Sequence, residues 1–365
     1  MNAWLLAYDG FDPPGERLRE ALCTLGNGYF ATRGAAPEVA AGDVHYPGTY
    51  VAGVYNRLVS RVAAREVENE DLVNVPNWLP LTFRPQGARW LDLDELEVLG
   101  YRQELDLRRG LLTRLVRVRD PDGRLTRMTQ RRFVSMADPH LAGLETTVVP
   151  ENWSGSLEVR SALDGTVTNG GVERYKALSG GHLVPLEAGG IGDDTVWLQM
   201  ETRTSRVRIA QAARTRVVQN GQRVAVEWRT VQEPGRIAHH LILDVREGEP
   251  VTIEKLVALY TSKDRAIAEP GAAARGRVRD TPTGSTGCWS VTSWPGTSSG
   301  AAATSTWAAT ATSRSPAPST CTCFTCSRPC PSTPSTWMSG CRPAGCMGRP
   351  TGATSSGTSC SSSHS

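Results

Sequence analysis

Several residue types are scarce in this sequence, and the scarcity is uneven along the chain. Only three of the 40 basic residues are lysines. Cysteine occurs once in the first 280 residues, at Cys23, and eight times after them. No stretch approaches the roughly 18 apolar residues that a membrane span requires, and the first 30 residues lack the basic and apolar regions of a signal peptide. These absences predict a soluble, cytoplasmic protein with no membrane partner.

The last part of the chain lacks most residue types from which a core is built. From residue 281 to residue 365 there is no Asp, Glu, Lys, Leu or Ile, and Val occurs once. A segment of this composition cannot bury enough apolar surface to fold, so residues 282–365 are predicted to be disordered. The formal charge of +3 also arises there, because the first 280 residues carry 36 basic and 37 acidic side chains. Such a balance gives no indication of nucleic-acid binding.

The first 280 residues show the alternating pattern of β-strands, most clearly between Leu111 and Tyr260. The pair Asn220-Gly221 lies between two apolar runs, which predicts a type I′ hairpin. The strand after it is predicted to align three side chains on one face, namely Val224, Val226 and Trp228. The sequence DPDG at residues 120–123 separates two further strands.

A second alternating run near the end of this region completes the prediction of fold class. It places four apolar side chains on one face, namely Val251, Ile253, Val257 and Leu259. Many short strands separated by turns predict a mainly β protein, a large antiparallel β-sandwich over residues 1–268. Residues 269–281 are rich in Ala and Arg and are predicted to form a linker with helical tendency, interrupted by Pro270.

The segment EDLVNVPNWLPLTF offers a candidate binding site. Asn74, Asn77 and Trp78 share a proline-containing loop, and this combination of side chains can stack on a sugar ring and hydrogen-bond its hydroxyl groups. The alternative is that Trp78 packs in the core while the asparagines hold the turn. By contrast, the glycines of LGNGYFATRG do not have the spacing of a nucleotide-binding loop, and a tight turn before a strand is favoured.

The cysteines of the last segment suggest a metal site. Cys323, Cys326 and Cys330 follow the spacing C-x2-C-x3-C, and Pro331 comes next, which resembles the end of an iron–sulfur ligand run. A zinc or iron–sulfur site in this tail is therefore one alternative function. The segment lacks the apolar residues and acidic partners that usually surround such sites, so no metal cofactor is predicted.

Six segments between Gly15 and Asp264 closely resemble the amino-terminal domain of glycoside hydrolase family 65. In chain order they are LCTLGNGYFATRG, YPGTYVAGVYNR, EDLVNVPNWLPLTF, LDLRRGLLTR, RRFVSMADPHLAGLETTVVPENWSG and EKLVALYTSKD. The family includes maltose, trehalose and kojibiose phosphorylases and related hydrolases. The resemblance implies a supersandwich like that of galactose mutarotase, a helical linker, a catalytic (α/α)6 barrel and a small carboxy-terminal β-domain.

The same resemblance implies the chemistry. In the phosphorylases a barrel glutamate protonates the glycosidic oxygen while inorganic phosphate, the co-substrate, attacks the anomeric carbon and inverts its configuration; no cofactor takes part. One carboxyl group suffices because phosphate is already an anionic nucleophile. No residue of this sequence matches that glutamate. The substrate implied is an α-linked glucose disaccharide or glucoside, and a stand-alone carbohydrate-binding or assembly module is the alternative.

A frameshift explains the tail and its cysteines. The family's barrel begins near a signature that contains GLHGEAYRGHIFWDELF. One plausible coding of this peptide, read one base out of frame, translates as GCMGRPTGATSSGTSC, which is identical to residues 345–360. The hypothesis is that the reading frame shifts near residues 281–284 and that the barrel is lost. The chain as written is then predicted to be a truncated, inactive fragment with an unselected Cys-rich tail.

Overall fold

In the computed structural model the described residues are 4–62, 65–170 and 178–282, and they are mainly β. A large antiparallel sheet dominates them, with strands in the spatial order β1-β7-β8-β9-β10-β18-β14-β13-β12 and β15 paired to β14. Its strands are β1 (Leu5–Asp9), β7 (Glu97–Asp106), β8 (Leu111–Arg119), β9 (Leu125–Val134), β10 (Leu141–Pro150), β12 (Leu183–Ile191), β13 (Thr195–Thr202), β14 (Arg208–Gln219), β15 (Gln222–Val224) and β18 (Val251–Thr261).

Two smaller antiparallel sheets lie against the large one. One has the order β16-β17-β11-β6 and the other β2-β3-β4-β5. Their strands are β2 (Leu25–Gly26), β3 (Phe30–Thr32), β4 (Thr49–Val62), β5 (Arg65–Asn74), β6 (Leu81–Pro85), β11 (Gly155–Asp164), β16 (Arg229–Glu233) and β17 (Arg236–Val245). In the described ranges two helices accompany them, α1 (Pro13–Leu22) and α2 (Pro270–Asp280). The prediction of a mainly β, antiparallel fold is confirmed.

The core lies between the large sheet and the sheet β16-β17-β11-β6. Alternate residues of β11 and β14 point into it, and both sets are fully buried. The apolar residues of these two strands that point into this core are Leu157, Val159, Leu163, Ile209, Ala213 and Val217. Strands of period two that bury one face in this way form a sandwich.

Helix α2 covers the other face of the large sheet. The side chains of β14 on that face include Ala210 and Ala212, whose small size lets Ala274 and Val278 of the helix pack closely. Arg214, the next residue of β14 on this face, donates a hydrogen bond of 2.6 Å to the Thr281 carbonyl just beyond the helix. The predicted helical tendency after residue 268 thus corresponds to a helix that is packed against the sandwich, and the predicted interruption at Pro270 is wrong because Pro270 begins this helix.

Most local predictions in the strand region are confirmed, with one exception. Asn220 and Gly221 both have positive φ, 51° and 75°, and join β14 to β15 as a type I′ turn requires. The strand predicted through residues 224–228 is wrong, because β15 ends at Val224. Val226 and Trp228 still pack against the core. The alternating pattern therefore indicated correctly which side chains are buried, although their backbone is not part of a β-strand.

Limited proteolysis tests how far the folded unit extends, since the predicted boundaries at residues 268 and 281 depend on how firmly α2 is held. Because α2 is buried against the large sheet, we expect trypsin to leave a resistant fragment that retains residues up to Arg279. The next site in the sequence is Arg314. Mass spectrometry of the fragment would contradict the packing of α2 if early cleavage occurred at Arg277 or within the strands.

Candidate functional site

The predicted sugar-binding residues lie in the segment 74–80, here called the loop, which consists of the last residue of β5 and the connection to β6. Trp78 is fully buried in the core. Its indole Nε1 donates a hydrogen bond of 2.9 Å to Thr32 Oγ1, and that hydroxyl lies 3.2 Å from Thr49 Oγ1. A buried tryptophan needs such a partner for its N–H group. The loop is therefore anchored to β3 and β4 through this side chain.

The two asparagines of this loop are buried as well. Asn74 Oδ1 accepts a hydrogen bond from the Thr49 amide at 3.0 Å, and Asn77 Oδ1 accepts one from the Leu79 amide at 3.0 Å. The backbone of Asn77 exchanges two hydrogen bonds with Asp164, at 2.7 and 3.0 Å. These are the contacts expected of packing and turn-holding residues. Sugar binding by Asn74, Asn77 and Trp78 stays a prediction.

Two polar side chains of the large sheet hold the same loop by its carbonyl groups. Gln211 Nε2 donates to the Pro76 carbonyl at 2.6 Å. Lys255 Nζ donates to the carbonyls of Pro80 and Ala162, at 2.9 and 2.7 Å. Lys255 lies on β18 at a core-facing position and is only 2% exposed. The loop is thus tied to β14, β18 and β11 at once.

Lys255 has no carboxylate partner within 4.0 Å among the described residues, and it lies in a strongly desolvated environment. Burial lowers the pKa of its ammonium group well below the ordinary value. Burial likewise lowers the pKa of the nearby His239 to about 4. Both side chains are buried inside the sandwich, and the charge of Lys255 also lowers the pKa of His239. Sequence reasoning missed them, although a lysine at a core-facing position of an apolar strand was a visible signal.

Replacement of Lys255 by methionine should remove a pH dependence of stability. Below pH 10.5 the Lys255 amine is protonated in the unfolded chain but stays neutral in the folded protein. The wild-type free energy of unfolding should therefore fall as pH decreases. The slope is up to about 1.4 kcal/mol per pH unit, down to the folded-state pKa. Urea denaturation at several pH values between 7 and 9.5 measures it.

The control for this experiment is Lys263→Met, since Lys263 is exposed at the surface. Its pH profile should run parallel to that of the wild type. The free energy of unfolding of Lys255→Met should instead increase relative to that of the wild type as pH falls from 9.5 to 7, by up to about 1.4 kcal/mol per pH unit. Three parallel profiles would show that Lys255 is protonated in the folded protein, which contradicts the assignment.

A second buried cluster lies between α1 and the segment before β4. Glu20, which is 1% exposed, accepts hydrogen bonds from His45 Nδ1 at 2.8 Å and from the Tyr46 amide at 2.9 Å. Burial alone would lower the pKa of His45, but the hydrogen bond and charge of Glu20 raise it. Arg33 Nε donates to the Tyr46 carbonyl at 2.9 Å. This cluster fixes the segment leading into β4.

The motif LGNGYF forms a tight turn, as predicted. Asn27 Oδ1 accepts hydrogen bonds from the amides of Tyr29 and Phe30, and Gly28 has a φ of 87°. The Tyr29 hydroxyl then donates to Asp264 Oδ2 at 2.7 Å. Two segments that carry the family resemblance, LGNGYF and YTSKD, therefore meet in space although 235 residues separate their hydrogen-bonded side chains.

Neither a metal centre nor a membrane helix is found in the described part of the chain. Within residues 4–62, 65–170 and 178–282, no group of three or more His, Cys, Asp or Glu side chains is arranged to hold a metal ion. In the same ranges, neither helix has the length and apolar character needed to cross a bilayer. Cys323, Cys326 and Cys330, the cysteines of the alternative metal site, lie outside the described residues.

Comparison with known proteins identifies the class to which this fold belongs. Residues 6–286 match the glycosyl hydrolase family 65 N-terminal domain. The chain belongs to glycosyl hydrolase family 65, as its sequence motifs predicted. The family's relatives include disaccharide phosphorylases, so the chain is a member of a family of carbohydrate metabolism.

Three relatives show how much of such a protein the match covers. An uncharacterized glycosyl hydrolase of Mycobacterium tuberculosis is 48% identical over 265 residues, which are 73% of this chain and 20% of that protein. The kojibiose phosphorylase of Halothermothrix orenii is 27% identical over 72% of this chain and 31% of its own length. The trehalose 6-phosphate phosphorylase of Lactococcus lactis is 30% identical over 71% and 32%. The chain thus spans a third or less of these relatives.

The fold also resembles that of a solved structure. A candidate kojibiose phosphorylase from the human microbiome superposes with a TM-score of 0.65 at 18% sequence identity. The match covers 76% of this chain and 35% of the other. At this identity the likeness concerns the fold alone, and it agrees with the antiparallel architecture described above.

Proposed function

We propose that this chain derives from an enzyme that cleaves an α-linked glucose disaccharide with inorganic phosphate, and that residues 4–282 are its non-catalytic sandwich. The observation that carries the proposal is the family match over residues 6–286. The identity of 27–30% to a kojibiose phosphorylase and a trehalose 6-phosphate phosphorylase supports phosphorolysis. Hydrolysis is the alternative reaction, since the 48% identical relative is described as a glycosyl hydrolase.

The reaction in this proposal needs residues beyond the sandwich. A general acid must protonate the leaving oxygen, and phosphate must approach the opposite face of the anomeric carbon for inversion. The buried glutamates of the described residues are engaged elsewhere: Glu20 binds His45 and Tyr46. The others form ion pairs with arginines, namely Glu16 with Arg19 at 2.9 Å, Glu38 with Arg114 at 2.6 Å and Glu145 with Arg131 at 2.5 Å. We assign the acid to the barrel that family resemblance places after the linker helix.

The proposal extends to the last part of the chain, residues 282–365, as a product of a shifted reading frame. Its support is that one plausible coding of the family's barrel signature, read one base out of frame, translates as residues 345–360. In this account Cys323, Cys326 and Cys330 were never selected as ligands. The chain as written then carries the sandwich without the catalytic barrel.

The nature of the products tests the proposed reaction. The frame-corrected enzyme is incubated with kojibiose, trehalose, maltose or nigerose, with and without inorganic phosphate. Phosphorolysis predicts glucose 1-phosphate and one glucose per bond cleaved, and no reaction without phosphate. Two glucose molecules per bond, at a rate independent of phosphate, would establish hydrolysis instead. Binding of a disaccharide by the 365-residue chain alone would favour a carbohydrate-binding module.

A further inference from the structure

An open groove of about 580 Å³ runs across the outer face of the sheet β16-β17-β11-β6. Its floor carries a row of basic side chains from three adjacent strands. Arg160 of β11 is directly opposite His240 of β17, and His240 is directly opposite Arg229 of β16. Because directly paired residues of a sheet point to the same face, the three side chains lie next to one another in the groove.

This row has an excess of positive charge. His240 lies between Arg160 and Arg229 in this row, and in the part of the chain that the structure describes neither arginine forms an ion pair. Two carboxylates at the groove are already engaged: Glu158 lies 2.7 Å from Arg84, and Glu233 lies 3.9 Å from Arg236. Glu227, at the rim, is the remaining acidic side chain that lines it.

Trp90 holds one arginine of the row in place. The guanidinium groups of Arg84 and Arg160 lie 4.6 and 4.5 Å from the centre of its ring system. A guanidinium stacked in this way keeps its N–H edge free for a planar, bidentate acceptor. Since the stacking fixes Arg160 before any ligand arrives, less conformational entropy is lost on binding.

Two polar groups, one of Arg236 in the groove and one of Thr82 on the neighbouring strand β6, also lack partners among the described residues. Thr82 lies directly opposite Arg160 on β6 and is 5% exposed. Its hydroxyl, and Nε of Arg236, form no hydrogen bond with any described residue. Buried groups of this kind normally have a partner, and such an exception calls for a ligand or ordered water. In addition, burial and the charges of Arg160, Arg229 and Arg236 lower the pKa of His240.

We propose that this groove is a binding site for a phosphate-type oxyanion, carried either by inorganic phosphate or by a sugar phosphate, with Arg160, His240 and Arg229 as its ligands. A tetrahedral dianion accepts bidentate hydrogen bonds from arginine and offsets the repulsion along the row. The proposed cleavage of a disaccharide does not use this row of side chains. The groove would therefore be an additional ligand site, located on the sandwich.

Calorimetric titration of the full 365-residue chain tests the site, with inorganic phosphate, glucose 6-phosphate and glucose as probes. We expect saturable binding of the two phosphates and none of glucose. The double variant Arg160→Gln, Arg229→Gln should weaken binding by about tenfold or more, since each lost contact to a charged group is substantial. The control Arg108→Gln, Arg109→Gln, which removes the same two charges from an exposed turn, should leave the dissociation constant within about twofold.

The probes also separate the two sources of the anion. Equal dissociation constants for phosphate and glucose 6-phosphate would mean that the oxyanion alone is recognised, whereas tighter binding of glucose 6-phosphate would assign contacts to the sugar. The proposal is overturned if neither phosphate binds saturably, or if the Arg160→Gln, Arg229→Gln chain, shown to be folded by circular dichroism, binds as the wild type does.

A measurement on the wild-type chain avoids the risk that the variants misfold. The ring signals of His240, assigned by their loss in His240→Gln, are titrated by NMR with and without saturating phosphate. A dianion beside the ring favours the protonated imidazole, so the pKa of His240 should rise on binding. An unchanged pKa at saturation would contradict contact between the anion and His240.

Discussion

The 365-residue chain is expected to show no phosphorolytic or hydrolytic activity, and correction of one base near codon 282 is expected to create it. The physical reason is that, in the proposed account, the acid, the phosphate position and the sugar pocket all lie in the barrel that family resemblance places after the linker helix. Loss of a general acid alone typically slows a reaction by ~10²–10⁴. Loss of the whole pocket also removes the positioning of substrate and phosphate. The uncorrected chain should therefore have no measurable activity.

The assay follows glucose 1-phosphate from kojibiose, trehalose, maltose and nigerose for both products at equal concentration. A control corrects the frame but replaces the barrel glutamate that aligns with the family's acid by glutamine. This control should fold like the active enzyme and remain inactive. Turnover by the uncorrected 365-residue chain would refute the account, because none of its residues matches that glutamate.

Trp78→Ala is expected to reduce the free energy of unfolding by about 3–5 kcal/mol, the range for removal of a large aromatic side chain from a core. Trp78 is fully buried and its indole N–H is bonded to Thr32. The cavity would open beneath a loop whose carbonyls are held by Gln211 and Lys255. The loop cannot move into the cavity without breaking these hydrogen bonds, so structural relaxation should recover little of the lost stability.

Two variants sharpen the measurement of stability by urea denaturation. Trp78→Phe keeps most of the apolar volume but leaves the Thr32 hydroxyl without its donor, so it should cost about 1–3 kcal/mol. Trp4→Ala, at a tryptophan that is 55% exposed, should change stability by less than about 1 kcal/mol. Similar losses for Trp4→Ala and Trp78→Ala would contradict the anchoring role of Trp78.

The sequence predicted the strands and turns because both have local causes. The period-two pattern of β18 and the DPDG and Asn220-Gly221 turns depend on neighbouring residues only. Where pairing mattered, prediction failed: β15 stops at Val224 although the alternation of side chains continues to Trp228. Alternation indicates which face is buried, but a ladder needs a partner strand.

The buried polar residues were harder to predict for the same reason. Lys255 occupies a core position only because the carbonyls of Pro80 and Ala162 meet it there, and those lie 175 and 93 residues away along the chain. The row of Arg160, His240 and Arg229 likewise arises from the register of three strands. The spacing of residues along the sequence does not reveal which residues of different strands are paired. The family motifs do identify the fold, and the fold determines this pairing.

The nucleotide sequence around codons 275–290 is the most direct test of the account as a whole. We predict that a one-base change of frame near codon 282, followed to the end of the coding region, yields a peptide like GLHGEAYRGHIFWDELF where residues 345–360 now stand, and an open frame for a barrel beyond it. A frame that encodes no such peptide at that position would contradict the frameshift and require another origin for residues 282–365.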